Sequence, residues 1–156
     1  MGYIIQNVSE TDHCILRHLA AECGSLDVHT HYTYWVMCKY FGSNSFILYE
    51  GMEPIGYIMA LETADTVFIW QVGILPEYRH LKLSHELYDA VFKVAKNKGK
   101  DVELSIAPDN RASYGAFESY CNGCDISFEK IGSATVKDIN GTLIEDEVLY
   151  HARLNE

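Results

Sequence analysis

Basic residues are scarce in this chain: 12 Lys and Arg stand against 22 Asp and Glu, a formal charge of −10 over 156 residues. General nucleic-acid binding needs a basic surface that displaces counterions from phosphates, so that class of function is excluded. Excess acid favours solubility and is compatible with a cationic small-molecule partner. Long apolar runs are also missing, and none approaches the roughly 20 residues that a membrane-spanning helix needs. The opening Met1-Gly-Tyr-Ile-Ile-Gln-Asn7 has neither a basic segment nor an apolar stretch of signal length, so no secretory leader is expected. Cysteine is present five times, an odd count at scattered positions. That pattern argues for reduced thiols in a cytoplasmic protein and against a disulfide framework. Repeats, linkers and low-complexity tracts are absent. What remains is a 48% apolar chain of 17.7 kDa, expected as a single domain over residues 1–156 with a substantial core.

Period and punctuation give a coarse order of elements. Tyr3–Val8 alternates as a first strand, and Ser9 or Thr11 caps a helix reaching about Ala21. A turn near Gly24 and Ser25 leads to a second helix over about 30–41, broken by Gly42-Ser-Asn44. Phe46–Tyr49 and Ile55–Leu61 read as strands joined through Glu50-Gly-Met-Glu-Pro54, a hairpin signal. Val67-Phe-Ile-Trp-Gln-Val-Gly-Ile74 is an apolar and aromatic run of strand length, and Pro76 cannot extend its ladder. A helix begins near Leu83 or Ser84, with Leu87, Val91, Val94 and Ala95 on one face, and closes at Lys96, Lys98 and Gly99. Val102–Ile106 is a short buried strand. Asp109 or Asn110 starts a helix reaching about Tyr120. Asn140-Gly141 marks a turn between two last strands, near Ala134–Ile139 and Val148–Tyr150. The mixture predicts an α/β (α+β) fold with a mixed, mostly antiparallel sheet flanked by helices.

Strand, short polar turn and helix start follow one another at residues 67–84, which gathers unpaired backbone N–H groups at one spot and suits an anionic phosphate. Val72-x-Ile74-x-Pro76-x-x-Arg79 resembles the central strand and pyrophosphate loop of the GNAT superfamily of N-acetyltransferases. Ser105-Ile-Ala-Pro-Asp-Asn110, Arg111-Ala-Ser113 and Ala116-Phe117 are similar to the next strand and the Asn-started helix of that superfamily. The pattern extends over roughly residues 3–154. A narrower resemblance runs through Cys23-x-x-Leu26-Asp27-Val28, Tyr32-x-Tyr34, Cys38 and Phe41. It continues in Val67–Val72, in Pro108-Asp-Asn110 with Ala112-Ser113, and in Glu147-Val-Leu-Tyr150. These phrases look like the diaminobutyrate acetyltransferases of ectoine biosynthesis.

The resemblance implies a sheet splayed at the central strand, with acetyl-CoA as acetyl donor and no metal. Backbone N–H groups of Val72, Gly73 and Ile74 would hold the pantetheine and polarise the thioester. Arg79 and the amides of His80, Leu81, Lys82, Leu83 and Ser84 would hold the pyrophosphate, and Asn110 would contact the pantetheine side. It also implies a small amine acceptor, the 4-amino group of L-2,4-diaminobutyrate or a close diamino acid, and a homodimer. Another small amine, or a ligand-binding module without catalysis, is the alternative. Two departures stand out. Lys82 and Ser84 occupy positions where the family writes glycine or alanine, and glycine serves close backbone approach there. Phe117 stands where many members place a tyrosine as general acid, which leaves Tyr114 either as its substitute or as a half-buried aromatic.

Two ammonium groups on an acceptor call for anionic groups aimed at them, and the resemblance points to Asp27, Tyr32, Trp70 and Glu147. Glu147 or Asp27 would take the proton from the attacking amine. Asp27 has a second reading as a plain N-cap of the following helix, and Trp70 as a core aromatic. Cys121-Asn-Gly-Cys124 is a lone CxxC without a second pair, and two ordinary thiols at a helix end are expected there.

Overall fold

The computed structural model describes residues 2–155. Strand β1 (Tyr3–Asn7) leads into a 3-10 turn opened by Ser9, whose N–H donates to Asp12 Oδ2 at 2.8 Å. Helix α1 (His13–Cys23) follows and ends at Gly24 with φ 73°, a left-handed cap that favours glycine. Helix α2 (His31–Phe41) is capped by Thr30, whose Oγ1 accepts from the Thr33 N–H at 3.1 Å. Asp27 is therefore not the cap, and one of its two readings falls away.

Strands β2 (Phe46–Glu50), β3 (Glu53–Glu62) and β4 (Thr66–Ile74) come next, then α3 (Ser84–Asn97), β5 (Asp101–Ile106), α4 (Arg111–Gly123), β6 (Phe128–Lys137) and β7 (Leu143–Ala152). They form one seven-stranded sheet in the order β1-β2-β3-β4-β5-β7-β6. Every pair is antiparallel except β4–β5. A parallel pair needs a long crossover, and α3 supplies it.

Helices cover both faces. On one, Leu87, Tyr88, Val91 and Phe92 of α3 and Phe117 and Tyr120 of α4 pack on Ile58, Ala60, Val67 and Leu104. On the other, Leu16, Leu19, Tyr34 and Met37 pack on Ile47, Tyr57 and Met59. Strand β3 thus sends alternate side chains into two cores, as a strand buried on both faces must. Leu87 and Val91 are completely buried, each contributing about 1.5–3 kcal/mol relative to exposure.

Four element bounds in particular differ from the sequence reading. The turn expected over Glu50–Pro54 is tighter, because Glu53 and Pro54 already pair with Glu50 and Tyr49. Strands β6 and β7 begin six and five residues earlier than expected, at Phe128 and Leu143. Helix α4 runs to Gly123, so Cys121 lies within its last turn.

Strand β4 decides where a ligand can enter. It pairs with β5 only from Thr66↔Asp101 to Ile69↔Leu104. Beyond that, β4 stays on β3 as far as Gly56↔Ile74, while β5 stays on β7 as far as Ile106↔Val148. The register with β3 steps from Met59↔Gln71 to Ala60↔Ile69, which leaves Trp70 as an extra residue. A bulge bends its strand and increases the local twist. Trp70 follows the last β4–β5 pair directly, so the bulge accounts for the divergence of the two strands.

Candidate active site

The divergence opens a cleft of about 450 Å³. Its walls are Trp70 and Val72 of β4, Ser105 and Ile106 of β5, and the start of α4 at Asn110 and Ser113; Asp27 and His29 line it from the α1–α2 loop and Glu147 from β7. On the β5 side, the edge of β4 from Trp70 to Ile74 has no ladder partner. Unpaired backbone groups beside a cleft are free to bond a ligand.

The acceptor end is organised by one polar side chain in an apolar strand. Gln71 is 7% exposed, and its Oε1 accepts from the Tyr57 hydroxyl at 2.8 Å and the Tyr34 hydroxyl at 3.2 Å. Its Nε2 donates to the Asp27 carbonyl at 3.0 Å. The loop that presents Asp27 is thereby fastened to β4 just past the bulge. Trp70 stands beside it, with His29 at 4.9 Å and Tyr34 at 6.2 Å between ring centroids.

Glu147 is half-buried, and its Oε2 has no hydrogen-bond partner. Burial pushes its carboxyl above the ordinary range, and Glu145, Asp146, Asp27 and Asp109 add to the effect. A carboxylate with an unspent oxygen among other acids lacks a cation, and an ammonium group would supply one.

The loop expected to hold the pyrophosphate adopts left-handed backbone at two residues that are not glycine. His80 and Lys82 both have positive φ, 72° and 57°. Among the described residues, the backbone N–H groups of His80 through Ser84 donate no hydrogen bond to the backbone. Successive N–H groups left without backbone acceptors suit an anion, and here they run on into the start of α3. Lys82 carries the left-handed conformation for which glycine is the usual residue.

Not every expected residue lines the cleft: Gly73, Ile74 and His80 through Ser84 lie outside its lining. Arg79 donates from Nη2 to the Cys23 carbonyl at 2.6 Å and from Nε to the Ile74 carbonyl at 3.2 Å. Its guanidinium binds the end of α1 to the end of β4 and keeps Nη1 for another partner. Tyr32 is 71% exposed and stacked on Trp35, with centroids 6.0 Å apart; it does not line the cleft. Tyr114 donates to Glu118 at 3.1 Å and packs against Phe128 and Tyr150. It too is outside the lining, and its side chain is half-buried. Asn110 both lines the cleft and caps α4, accepting from the Ser113 N–H at 3.1 Å.

Sequence reasoning did not single out Gln71, Tyr88 or the wall position of His29. For Gln71 the signal was available: a lone amide inside a buried apolar run must find polar partners. Among the described residues, His13, Cys14 and His31 are the grouping whose donor atoms lie within 4.8 Å of one another. They sit where α1 and α2 begin, outside the cleft lining. Among the described residues, no helix is long and apolar enough to cross a membrane.

Comparison with known proteins agrees with this geometry. The model of the acetyltransferase (GNAT) family matches residues 14–122. The L-2,4-diaminobutyric acid acetyltransferase of Shouchella clausii is 32% identical over 69% of this chain. The matched stretch spans 65% of that relative's length, just under two thirds. The enzyme of the same name from Streptomyces anulatus is 31% identical over 76% of this chain and 71% of its own length. Among solved structures, the diaminobutyrate acetyltransferase EctA from Paenibacillus lautus, in complex with L-2,4-diaminobutyric acid and coenzyme A, superposes with a TM-score of 0.81. It is 23% identical, covering 97% of this chain and 94% of that one. The Ard1 structure from Thermoplasma volcanium superposes at 0.80 with 12% identity, covering 99% and 100%, so the architecture extends well past any shared sequence. The splayed strand, the cleft it opens and the family match over most of the chain lead to one conclusion: this protein belongs to the acetyltransferase (GNAT) family.

Proposed function

We propose that the chain is an acetyl-CoA-dependent N-acetyltransferase that acylates the 4-amino group of L-2,4-diaminobutyrate. The observation that carries this reading is the pairing of Asp27 and Glu147 on one cleft, with Glu147 Oε2 unpartnered. A small acceptor with two ammonium groups suits two carboxylates better than a neutral amine does. The similarity to L-2,4-diaminobutyric acid acetyltransferases supports the same acceptor.

Acetyl-CoA supplies an activated acetyl group as a thioester. The free edge of β4 at Val72–Ile74 is the place for pantetheine amides and the thioester carbonyl, which N–H groups would polarise. The N–H groups of His80–Ser84 offer the diphosphate an anion site, with the Lys82 ammonium nearby. Asn110 borders the pantetheine. At the other end, Asp27 anchors one ammonium and Glu147 takes the proton from the attacking nitrogen. A base must be able to hold a proton near neutral pH, and the raised position of Glu147 favours that. Trp70 fills the acceptor side with its ring.

We infer further that residues 1–156 act as a single domain, that the enzyme works in the cytoplasm as a homodimer, and that its product feeds ectoine synthesis. The family resemblance supports these readings, and exposed apolar side chains on the β6–β7 hairpin, Ile139, Leu143 and Ile144, offer a contact surface for a second subunit.

Isothermal titration with acetyl-CoA, then with diaminobutyrate in the same cell, tests the proposal. Micromolar cofactor binding followed by release of free thiol on adding the diamine is expected. Cofactor binding without a response to diaminobutyrate would move the assignment to another small amine. Failure to bind acetyl-CoA would leave a fold without its chemistry.

A further inference from the structure

Tyr88 projects from α3 into the cavity wall and is 1% exposed. Its ring is held by Phe117 at 5.8 Å and Tyr120 at 5.7 Å between centroids. Its hydroxyl, unlike those of Tyr34, Tyr57 and Tyr120, forms no hydrogen bond among the described residues. Glu147 Oε2 is the one side-chain oxygen or nitrogen there that is both fully buried and unpartnered, so the Tyr88 hydroxyl keeps its small exposure toward the cleft. A phenol rarely gives up its bond to water without taking another partner. The surroundings are apolar: Ile69, Val72, Leu104 and Ile106 line the same part of the cavity, where β4 and β5 part.

From this placement we infer that Tyr88 is a catalytic hydrogen-bond donor to the sulfur of the departing coenzyme A. The inference rests on the acetyltransferase reading above and adds the group that handles the leaving thiolate. The α4 candidates do not serve: Phe117 has no hydroxyl, and that of Tyr114 is committed to Glu118. In the transfer, the acceptor nitrogen forms a bond to the acetyl carbon, and the carbon–sulfur bond breaks with its electron pair remaining on sulfur. The acceptor reacts as the free amine, its ammonium proton already lost to solvent, and the one further proton that the nitrogen sheds on acylation passes to the Glu147 carboxylate. The Tyr88 O–H points at the sulfur as negative charge builds on it and keeps its own proton. The thiolate leaves and is protonated by water, and Glu147 returns its proton to solvent. Burial pushes the Tyr88 phenol well above its ordinary range, so at any working pH it is a donor and never a competing anion.

Tyr88→Phe removes one oxygen and leaves the packed ring in place. Wild type and variant are compared in acetyl-CoA affinity, in single-turnover rate, and in the thiol pKa of bound coenzyme A, read from the pH dependence of its inhibition. The expected result is an unchanged acetyl-CoA Kd, a rate roughly 10- to 100-fold lower, and a bound thiol less acidic than in wild type. An unchanged rate, or a loss matched by equally weakened acetyl-CoA binding, overturns the inference and leaves the acetyltransferase reading intact. A wild-type protein that does not bind acetyl-CoA overturns both, and that arm is read first.

Discussion

Replacing Lys82 by glycine isolates the cost of building an anion-binding loop without glycines. Lys82 sits at φ 57°, where an L-residue costs roughly 1–2 kcal/mol. Glycine escapes that cost, but its freer unfolded chain takes back about 0.5–1 kcal/mol. The net expectation is a gain of about 0.5–1 kcal/mol, or roughly 1–3 °C in Tm for a domain of this size. Lys82→Ala is the control, since it discards the ammonium and keeps the strained backbone. The alanine variant should melt within about a degree of wild type, below the glycine variant. Both lose a charge near the diphosphate site, so both should bind acetyl-CoA more weakly at low salt, and the difference from wild type should shrink as salt rises. Thermal unfolding and titration calorimetry at two ionic strengths read all of this. If the glycine variant melts no higher than the alanine variant, the left-handed strain assigned to Lys82 is wrong.

Other outcomes follow from the same side chains. Glu147→Gln should lower turnover about 100-fold or more, yet the free protein should gain stability at neutral pH. The folded carboxyl titrates above its unfolded value, so wild type is penalised as pH rises from the unfolded pKa through the folded one, and the gap should close below that window; equal melting at all pH values would contradict it. Gln71→Leu strands the Tyr57 hydroxyl and leaves the Tyr34 hydroxyl and the Asp27 carbonyl only their mutual 3.5 Å bond, costing about 1–3 kcal/mol for a buried group left unpaired. Its KM for the acceptor should rise severalfold while acetyl-CoA affinity holds, and a loss confined to acetyl-CoA would argue against the loop-fastening role. His151 bonds Glu103 at 2.8 Å and Asp101 at 2.9 Å. Burial opposes its charge, but the two carboxylates outweigh burial and raise its pKa. Its contribution should be complete below the unfolded pKa of about 6.5 and fade as pH rises through the folded value. His151→Gln should therefore destabilise most at mildly acidic pH, and a gap that grows with pH would reverse the assignment.

What could be read from the chain depended on how each stretch is packed. The strand at Thr66–Ile74 and the helix at Ser84–Asn97 were legible because burial writes apolar side chains at a clear period. The long hairpin of β6 and β7 was only half legible: exposed polar residues flank Gly132 and Glu145–Glu147, and backbone pairing rather than patterning holds those strands. Asn140-Gly141 was read correctly, and Gly141 adopts φ 82° as such a turn requires. The bulge at Trp70 has no side-chain signature, since it is a step in register with β3. The resemblance points to Asp27 and Glu147, and both line the cleft. Arg79 came from the same resemblance, and the structure adds a role that no motif signals: it ties the Cys23 carbonyl at the end of α1 to the Ile74 carbonyl at the end of β4. Tyr32 followed a motif alone, and its helix turns it outward.

The four-residue seam between β4 and β5 also sets how the molecule holds together. On either side of it lie two sub-sheets, β1 to β4 and β5 with β7 and β6, each continuous by itself. Past Ile69 the cohesion between them comes from α3 and α4 beneath, with no hydrogen-bonded rungs between the strands. A ligand lying along the free edge of β4 would act as a surrogate strand and restore part of the missing rungs. Binding would then appear as cooperativity as well as occupancy: at a hundredfold excess over Kd it adds about 2.7 kcal/mol to global stability. Amide exchange along β4 and β5 would slow together, joining two units that breathe separately in the free protein.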